Sequence, residues 1–471
     1  MTKVNNTYIN GNFQKSDYIS YLDLINPSNE EIYGVLECTS VNDLEKAIHA
    51  AFTAQNACMS LSIGKRKHIL SQILTGIIER RDEIADMITL EMGAPINLSK
   101  NAHIQMGIDH LENTIHVLDE YKFESNENGY KIIKMPIGVA ALITPWNWPL
   151  NQTLTKIASA IAAGCAIVIK PSEYCAFSSK IIAEIIDASD LPPGGFNMVN
   201  GLGADLGPII SQHNLVDMIS FTGSTEVGIG IQELAAKTVK RVSLELGGKS
   251  VHIVCDDVNF SEAIPTAINQ CFINSGQSCS APTRLLVPKN KMEEVKNIAI
   301  NHINTLITGD PLNENTNLGP VVNNKQYMSI QQHIKNGMES CELIAGGLGR
   351  PNNIEKGFFI KPTVFSNVPN NNALATEEIF GPVLSIISYG DLDEAIAIAN
   401  DSKYGLSSYI SSKDTEIAYK LAQQIKAGQT IINKVSRGSV PAPFGGFKMS
   451  GNGREHGKFG LEEYLEVKAI I

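Results

Sequence analysis

The sequence has no apolar run of the roughly 18–20 residues that a membrane-spanning helix needs. Its first residues, MTKVNNTYINGNF, lack the apolar core of a signal peptide. Its eight cysteines form no CxxC pair and have no histidine cluster beside them, so we expect no bound metal. Scattered cysteines of this kind are typical of a reducing compartment. The sequence therefore predicts a cytoplasmic protein without a membrane partner.

Clustered basic charge is also missing. Asp and Glu outnumber Lys and Arg by 49 to 38, which gives a formal net charge of −11. Nucleic-acid binding depends on clustered Lys and Arg, so we expect no nucleic-acid partner. The hydrophobic content of 43% is that of a globular protein. A chain of 471 residues is too long for one compact core, and we expect two large lobes.

From Gly138 onward the chain alternates short apolar strands with helices. The strands are predicted at 139–144, 165–170, 196–200 and 218–222. Strands that are apolar throughout and alternate with helices indicate a parallel sheet covered on both faces. This is the doubly wound α/β architecture that binds nucleotides. The pattern restarts after Gly248, which predicts a second α/β lobe.

Three further segments have a clear pattern. Apolar residues recur at the helical period from Arg66 to Met92, so we expect a helix there, ended by Gly93. The segment 130–136 is polar at alternate positions, as an exposed hairpin arm would be. The tail 464–471 also alternates like a strand, and a free strand edge invites pairing. We expect this tail to extend a neighbouring subunit's sheet; packing on its own chain is the alternative.

Two segments could hold a dinucleotide. Thr222–Gly228 follows a strand and opens a helix, where Gly223 and Ser224 would offer free N–H groups and a hydroxyl to a pyrophosphate. An ordinary helix cap is the alternative. Lys170 and Glu173 follow another strand and could bind a ribose diol. The Glu173 carboxylate would repel a 2′-phosphate, which favours NAD and leaves NADP open, although solvated turn charges would look the same.

Three residues could carry chemistry. Cys279 lies in a Gly- and Ser-rich turn, where a thiol is more exposed than in a core. Glu245 stands between two leucines, and burial would raise its pKa towards that of a general base. Asn147 lies in a rigid Pro/Trp turn and could donate to an oxyanion. The alternatives are a core thiol, a structural carboxylate and a packed corner.

Seven segments, in order along the chain, resemble the aldehyde dehydrogenase superfamily. They are PWNWP at Pro145, KPSE at Lys170, FTGS at Phe221, LELGGK at Leu244, GQSC at Gly276, EEIFGP at Glu377 and PFGGFKMSGNGRE from Pro443. The resemblance implies an aldehyde substrate, which is oxidised to a carboxylic acid through a cysteine thiohemiacetal and a thioester. It also implies the superfamily's fold, in which two doubly wound α/β lobes carry a small β arm.

The resemblance assigns roles to individual residues. It implies that Cys279 is the nucleophile, that Glu245 activates the deacylating water, and that Asn147 and the Cys279 amide hold the oxyanion. Trp148, where the family often has Phe, and Phe444 would line the substrate pocket. The implied NAD contacts are Thr144, Trp146, Lys170, Glu173, Gly203, Phe221, Gly223, Ser224, Leu246, Gly247, Glu378 and Phe380. In that set Lys170 and Glu173 match contacts to the adenosine ribose, Ser224 a pyrophosphate contact, and Glu378 and Phe380 contacts to the nicotinamide ribose and ring.

The resemblance also divides the chain and implies a homodimer or homotetramer. Residues 1–118 and 140–247 would form the NAD-binding domain, 248–448 the catalytic domain, and 119–139 with 460–471 the oligomerisation arm.

Two other functions remain open. A CoA-acylating dehydrogenase would pass the acyl group to a thiol, but it does not need Glu245. A catalytically silent relative would serve as a binding or structural protein, but it would not need Cys279. Arg437 could attract an anionic aldehyde or could simply be solvated.

Overall fold

The computed structural model describes residues 2–5, 7–16, 20–434 and 441–471. The described strands are β1 Thr2–Asn5, β2 Tyr8–Ile9, β3 Asn12–Phe13, β4 Tyr21–Ile25, β5 Ile32–Glu37, β6 Glu124–Glu127, β7 Tyr130–Pro136, β8 Val139–Ile143, β9 Ala166–Lys170, β10 Phe196–Met198, β11 Met218–Thr222, β12 Arg241–Glu245, β13 Val251–Val254, β14 Arg284–Pro288, β15 Glu342–Ala345, β16 Thr363–Ser366, β17 Val383–Tyr389, β18 Tyr404–Gly405, β19 Ser407–Ser411, β20 Gln429–Ile432, β21 Phe447–Lys448 and β22 Leu465–Ile470.

The described α-helices are α1 Val41–Met59, α2 Ile63–Glu79, α3 Arg81–Met92, α4 Ile96–Leu98, α5 Ile104–Glu120, α6 Pro149–Ala163, α7 Ala176–Asp187, α8 Gly203–Gln212, α9 Thr225–Ala235, α10 Phe260–Phe272, α11 Met292–Ile303, α12 Asn324–Ser340, α13 Ala373–Thr376, α14 Leu392–Asn400, α15 Thr415–Gln424 and α16 Gly457–Glu463. None of them combines the length and the apolarity that crossing a membrane requires.

The first seven-stranded sheet has the order β12-β11-β8-β9-β10-β2-β3. The five strands from β12 to β10 are parallel, and β2 and β3 add antiparallel strands at one edge. β8, β9 and β11 are buried throughout, which confirms the predicted doubly wound α/β class. β9 and β11 lie on opposite sides of β8, so the strand order reverses beside β8. In such sheets ligands bind outside the carboxyl ends of the strands at this reversal.

The register brings the ends of four strands to one edge. Ile143 pairs with both Lys170 and Phe221, and Thr222 pairs with Glu245. The residues that follow β8, β9, β11 and β12 therefore emerge side by side, although they are far apart in sequence. This edge holds most of the residues for which the sequence predicted a ligand.

The second seven-stranded sheet has the order β15-β16-β17-β14-β13-β19-β20, and only β15 is antiparallel to its neighbour. Glu245 ends β12 of the first sheet, and the chain then passes directly into β13 of the second. Cys279 precedes β14 and Glu378 precedes β17. The second sheet therefore presents residues from the amino ends of its strands.

The predicted helix from Arg66 to Met92 is two helices, so the expectation of one helix is wrong. α2 and α3 meet at Arg80, whose φ of −104° and ψ of 17° are not helical. The Arg80 guanidinium forms ion pairs with Glu83 and with Glu184 of α7. The periodic spacing of apolar residues gives no sign of the break at Arg80, because α2 and α3 both bury an apolar face. Gly93, with a φ of 77°, ends α3 as predicted.

The arm is a three-stranded antiparallel sheet in the order β22-β7-β6. β6 and β7 form the predicted hairpin. The tail strand β22 pairs with β7 of its own chain, from Leu465 opposite Pro136 to Ile470 opposite Lys131. The expectation that the tail pairs with a neighbouring subunit is therefore wrong for this edge, because the hairpin of the same chain supplies the partner. The division of the chain into three domains stays a prediction.

Candidate active site

Cys279 lines a large cavity. Six of the eight cysteines are buried, and Cys279 and Cys341 are partly exposed. The cavity beside Cys279 has a volume of about 810 Å³. The expectation that this thiol is more accessible than a core cysteine is confirmed.

A left-handed turn delivers Cys279 to the cavity. α10 ends at Phe272, and Asn274 and Ser275 follow with φ of 55° and 56°. Gly276 has a φ of 74°, and a Cβ there would lie 2.2 Å from the Gly381 carbonyl oxygen. The helical backbone of α10 therefore does not continue to Gly276, since two successive residues leave the helical region. Non-glycine residues in this conformation are strained, and such strain is typical of functional sites.

Hydrogen bonds hold Asn147 against this turn. The Asn147 amide nitrogen donates to the Gln277 carbonyl oxygen at 3.0 Å, and the Asn274 amide nitrogen donates to the Asn147 carbonyl oxygen at 2.7 Å. The Gln277 side chain donates to the Asn274 carbonyl and accepts from the Val322 amide. The Asn147 nitrogen has two hydrogens, so one fixes the amide and the other can donate to a ligand.

Negative charge surrounds the thiol. Burial raises the pKa of Cys279 above its ordinary value of 9.0, and the nearby carboxylates of Glu378, Glu245 and Glu455 raise it further. The thiol is therefore neutral at physiological pH. Burial and the three nearby carboxyl groups both oppose its ionisation.

Glu245 is buried, as the sequence predicted. Its side chain is 2% exposed, and neither carboxylate oxygen has a hydrogen-bond partner among the described residues. Burial raises the pKa of Glu245 well above its ordinary value, and the neighbouring Glu455 carboxylate adds to this effect. Lys156 opposes it and forms a buried ion pair with Glu455. A carboxylate with a raised pKa is a better proton acceptor.

Glu378 and Phe380 lie where the two sheets meet. One Glu378 oxygen accepts a hydrogen bond from the Gly248 amide at 3.0 Å, and burial raises the pKa of Glu378 to about 7. A Cβ at Gly247 would lie 2.1 Å from the same carboxylate, so only glycine allows this approach. The Phe380 ring meets the Trp146 ring edge to face at 5.6 Å. Together these groups form one wall at the carboxyl edge of the first sheet.

The predicted adenosine and pyrophosphate contacts lie along the same edge. Lys170 is buried, and its ammonium donates to the carbonyl oxygens of Pro171 and Gly201 at 2.9 Å and lies 3.8 Å from the Glu173 carboxylate. Gly203 begins α8 beside the Lys170 stem. The remaining predicted contacts follow the ends of β8, β11 and β12; they are Thr144, Phe221, Gly223, Ser224 and Leu246.

Two expectations for the segment 222–228 change. The Gly223 amide is not free, because it donates to the Glu245 carbonyl oxygen and so extends the pairing of β11 with β12. The Ser224 hydroxyl accepts from the Val227 amide at 3.4 Å and caps α9. The helix terminus is present as predicted, but its cap is already formed.

Trp148 and Phe444 both line the cavity of Cys279. The Trp148 indole nitrogen donates to the Ser278 hydroxyl at 2.8 Å, and its ring stacks on His103 at 4.2 Å. Asn147 and Glu245 are not among the residues that line this cavity. Arg437 lies outside the described residues.

Sequence reasoning missed Asn274, Gln277 and His103. Asn274 and Gln277 stand in the segment that carries Cys279, so their closeness to it could have been noted. His103 is the last residue of the π-helical turn Ser99–His103, which precedes α5, and no sequence signal links it to Trp148. Among the described residues, no group of three or more His, Cys, Asp or Glu side chains could hold a metal ion.

Comparisons with known proteins give a consistent result. A model of the aldehyde dehydrogenase family matches residues 13–470. The chain is 44% identical to a 3-succinoylsemialdehyde-pyridine dehydrogenase of Pseudomonas sp, over 98% of each chain. The structure superimposes on a mutant of aldehyde dehydrogenase C from Pseudomonas syringae, in complex with NAD+ and octanal, with a TM-score of 0.98 and 43% identity over 99% of this chain and 96% of that one. A betaine aldehyde dehydrogenase from Staphylococcus aureus in complex with NAD+ gives a TM-score of 0.96 and 33% identity over 99% and 94%.

The raised pKa of Cys279 predicts how the thiol reacts without a cofactor. Because only the thiolate is alkylated, the rate with iodoacetamide should still be rising at pH 9.0, the ordinary thiol value. The measurement is the alkylation rate as a function of pH, followed by mass spectrometry. Cys279→Ser leaves Cys341 as the only partly exposed thiol and gives the background rate. A plateau reached below pH 9.0 would contradict the acidic environment described above.

Proposed function

The chain belongs to the aldehyde dehydrogenase family, and on that premise we propose that Cys279, Glu245 and Asn147 carry out its reaction. That reaction is the NAD-dependent oxidation of an aldehyde to a carboxylic acid. The observation that carries the assignment is the strained turn at Asn274–Gly276, which presents Cys279 to the cavity while Asn147 is bonded to the same turn. Reactive groups held in this way are pre-organised.

The first step is attack of the Cys279 sulfur on the aldehyde carbon. The thiol proton must leave, and it passes to solvent through the cavity that Cys279 lines; Glu245 acts only later, on water. The carbonyl π electrons move to oxygen as the C–S bond forms. The free N–H of Asn147 and the backbone N–H of Cys279 then hold the oxyanion, and one such donor contributes about 3–4 kcal/mol.

The carboxyl edge of the first sheet fits a dinucleotide. The strand order reverses beside β8, the Thr222 hydroxyl at the end of β11 has no hydrogen-bond partner among the described residues, and Gly247 leaves room for the Glu378 carboxylate. The residues proposed to hold NAD are the twelve named above, from Thr144 to Phe380. When bound, NAD accepts the hydride that leaves the substrate carbon. Glu173 supports NAD over NADP, because its carboxylate would repel a 2′-phosphate.

The second half of the reaction releases the acid. After hydride loss the acyl group is a thioester on Cys279, and Glu245 takes a proton from water as the water oxygen attacks the thioester carbon. The C–S bond breaks, the carboxylic acid leaves and the thiol is restored. The presence of Glu245 supports hydrolysis over transfer to CoA, since a CoA thiolate would not need a base for water.

We also propose that the chain forms a homodimer or homotetramer through its arm. Val467 and Ile470 of β22 are 66% and 46% exposed, and the outer edge of β22 pairs with no described strand. Exposed apolar residues on an unpaired edge favour association with another sheet.

A cytoplasmic location is supported by eight free cysteines, which are typical of a reducing compartment.

Cys279→Ala should abolish turnover and leave cofactor binding intact. Removal of the sulfur removes the covalent step, so kcat should fall by more than about 1,000-fold. The measurements are NADH formation with an aldehyde and NAD affinity by calorimetry. Cys341→Ala, at the other partly exposed thiol, should keep full activity. An equally large loss of NAD affinity in Cys279→Ala would mean that the nucleophile is misassigned.

Glu245→Gln should separate the two halves of the reaction. The amide cannot accept a proton from water, so one equivalent of NADH should form rapidly and a thioester should accumulate. Rapid-mixing absorbance measures the NADH that forms, and intact-protein mass spectrometry measures the thioester that accumulates. Exposed Glu416→Gln in α15 should turn over normally. Full steady turnover of Glu245→Gln would remove Glu245 from the deacylation step, and faster turnover on addition of CoA would favour the acylating branch.

Val467→Asp should weaken subunit association. A charge at this exposed position of β22 would have to be desolvated in an interface, so the molar mass should fall at a given concentration. Light scattering coupled to gel filtration measures the mass. Val239→Asp, at a 91% exposed valine outside the three strands of the arm, is the matched control. An unchanged mass for Val467→Asp would exclude this edge from the interface.

A further inference from the structure

The cavity beside Cys279 is bordered by buried amide side chains. Gln152 and Gln270 are 6% and 7% exposed and both line it. The carbonyl oxygen of each side chain has no hydrogen-bond partner among the described residues. A buried carbonyl oxygen without a donor costs free energy, and a bound molecule that brings an O–H or N–H group removes that cost.

The orientation of the Gln270 amide is fixed by its surroundings. Its nitrogen donates to the Lys434 carbonyl oxygen at 3.2 Å, so the group left over is the carbonyl oxygen, which can only accept. Gln270 lies in α10, the helix that runs into the turn before Cys279. A ligand in the cavity therefore lies beside a side chain whose unused acceptor is held by the helix that leads to Cys279.

The charge of the cavity also favours a ligand that donates hydrogen bonds. Asp109 is the only carboxylate among the described cavity-lining residues, and none of those residues is Lys or Arg. The Gln105 amide donates to one Asp109 oxygen at 2.7 Å, which leaves the other as a further acceptor. His456 also lines the cavity, and burial lowers its pKa to about 4, so it carries no charge near neutral pH. A ligand carboxylate would meet the negative charge of Asp109 and no Lys or Arg side chain among the described lining residues.

We propose that this cavity selects aldehydes whose far end carries an O–H or N–H donor and discriminates against aldehydes that end in a carboxylate. Gln270 and Gln152 are then specificity-determining residues, and Asp109 supplies the charge preference. The inference rests on the proposed function, because it takes Cys279 as the point at which the aldehyde end is held.

Four aldehydes of one chain length test the proposal. They are 6-hydroxyhexanal, hexanal, 6-oxohexanoate and its methyl ester, each assayed for kcat/KM by NADH formation with the full-length enzyme. The hydroxyl compound should exceed hexanal by about fivefold and 6-oxohexanoate by at least about 50-fold, because a site with buried polar groups rejects analogues that leave those groups unpaired. The methyl ester separates the effect of charge from that of size. Its kcat/KM should lie between that of hexanal and that of 6-oxohexanoate.

Two variants assign the effect to residues. Gln270→Met keeps the side-chain length without the acceptor, so the ratio of kcat/KM for 6-hydroxyhexanal to that for hexanal should fall about threefold or more. Asp109→Asn removes the charge and should raise the relative kcat/KM for 6-oxohexanoate. Gln212→Met, at an exposed glutamine in α8, should leave both ratios unchanged. Thermal unfolding of each variant shows that the fold is intact.

Other outcomes would overturn the inference. If 6-oxohexanoate were the best substrate and Arg437→Ala removed that preference, the segment 435–440 would supply a cation and the proposed selectivity would be wrong. Equal kcat/KM for all four compounds would refute the inference while leaving the proposed function standing. Absence of NADH with every aldehyde would refute the proposed function, and the inference with it.

Discussion

The hydrogen bond between the Asn147 amide and the Gln277 carbonyl is the contact on which the site depends. Asn147 follows β8 of one sheet, and Gln277 lies in the turn before β14 of the other. The bond therefore fixes the distance between an oxyanion donor and the nucleophile two residues further on. Asn274, which donates back to the Asn147 carbonyl, makes the connection reciprocal and stabilises a backbone conformation that would otherwise be strained.

The contact between the two sheets at Cys279 also has an electrostatic consequence. The sheets bring Glu245 and Glu378 near Cys279, and burial of all three disfavours their charged forms. A neutral thiol is a weaker nucleophile than a thiolate, so Cys279 must lose its proton before it can attack. The chemistry then depends on loss of the thiol proton, and the task proposed for Glu245 is the later removal of a proton from water. The cavity beside the thiol has Asp109 as the only carboxylate among its described lining residues.

Elements with a strong local pattern were predictable. β8 and β9 are uninterrupted apolar runs, and Gly93 ends a helix because a left-handed cap there suits glycine. Patterns failed where the deciding contact is distant in sequence. The break at Arg80 leaves the apolar period intact, and the tail strand β22 finds its partner about 330 residues earlier in its own chain. The Gly223 amide was expected to be free, but pairing of β11 with β12 uses it.

The sequence alone determined the family resemblance and the fold class and named the three candidate reactive groups, because motif order and apolar periodicity are local properties of the chain. Only the tertiary structure decided what surrounds those groups. The raised pKa of Cys279, the clamp on Asn147 and the acceptors of the cavity all come from residues that meet through sheet register and helix packing. Burial and charge act through space, and the distances that set their strength exist only once the two sheets have come together.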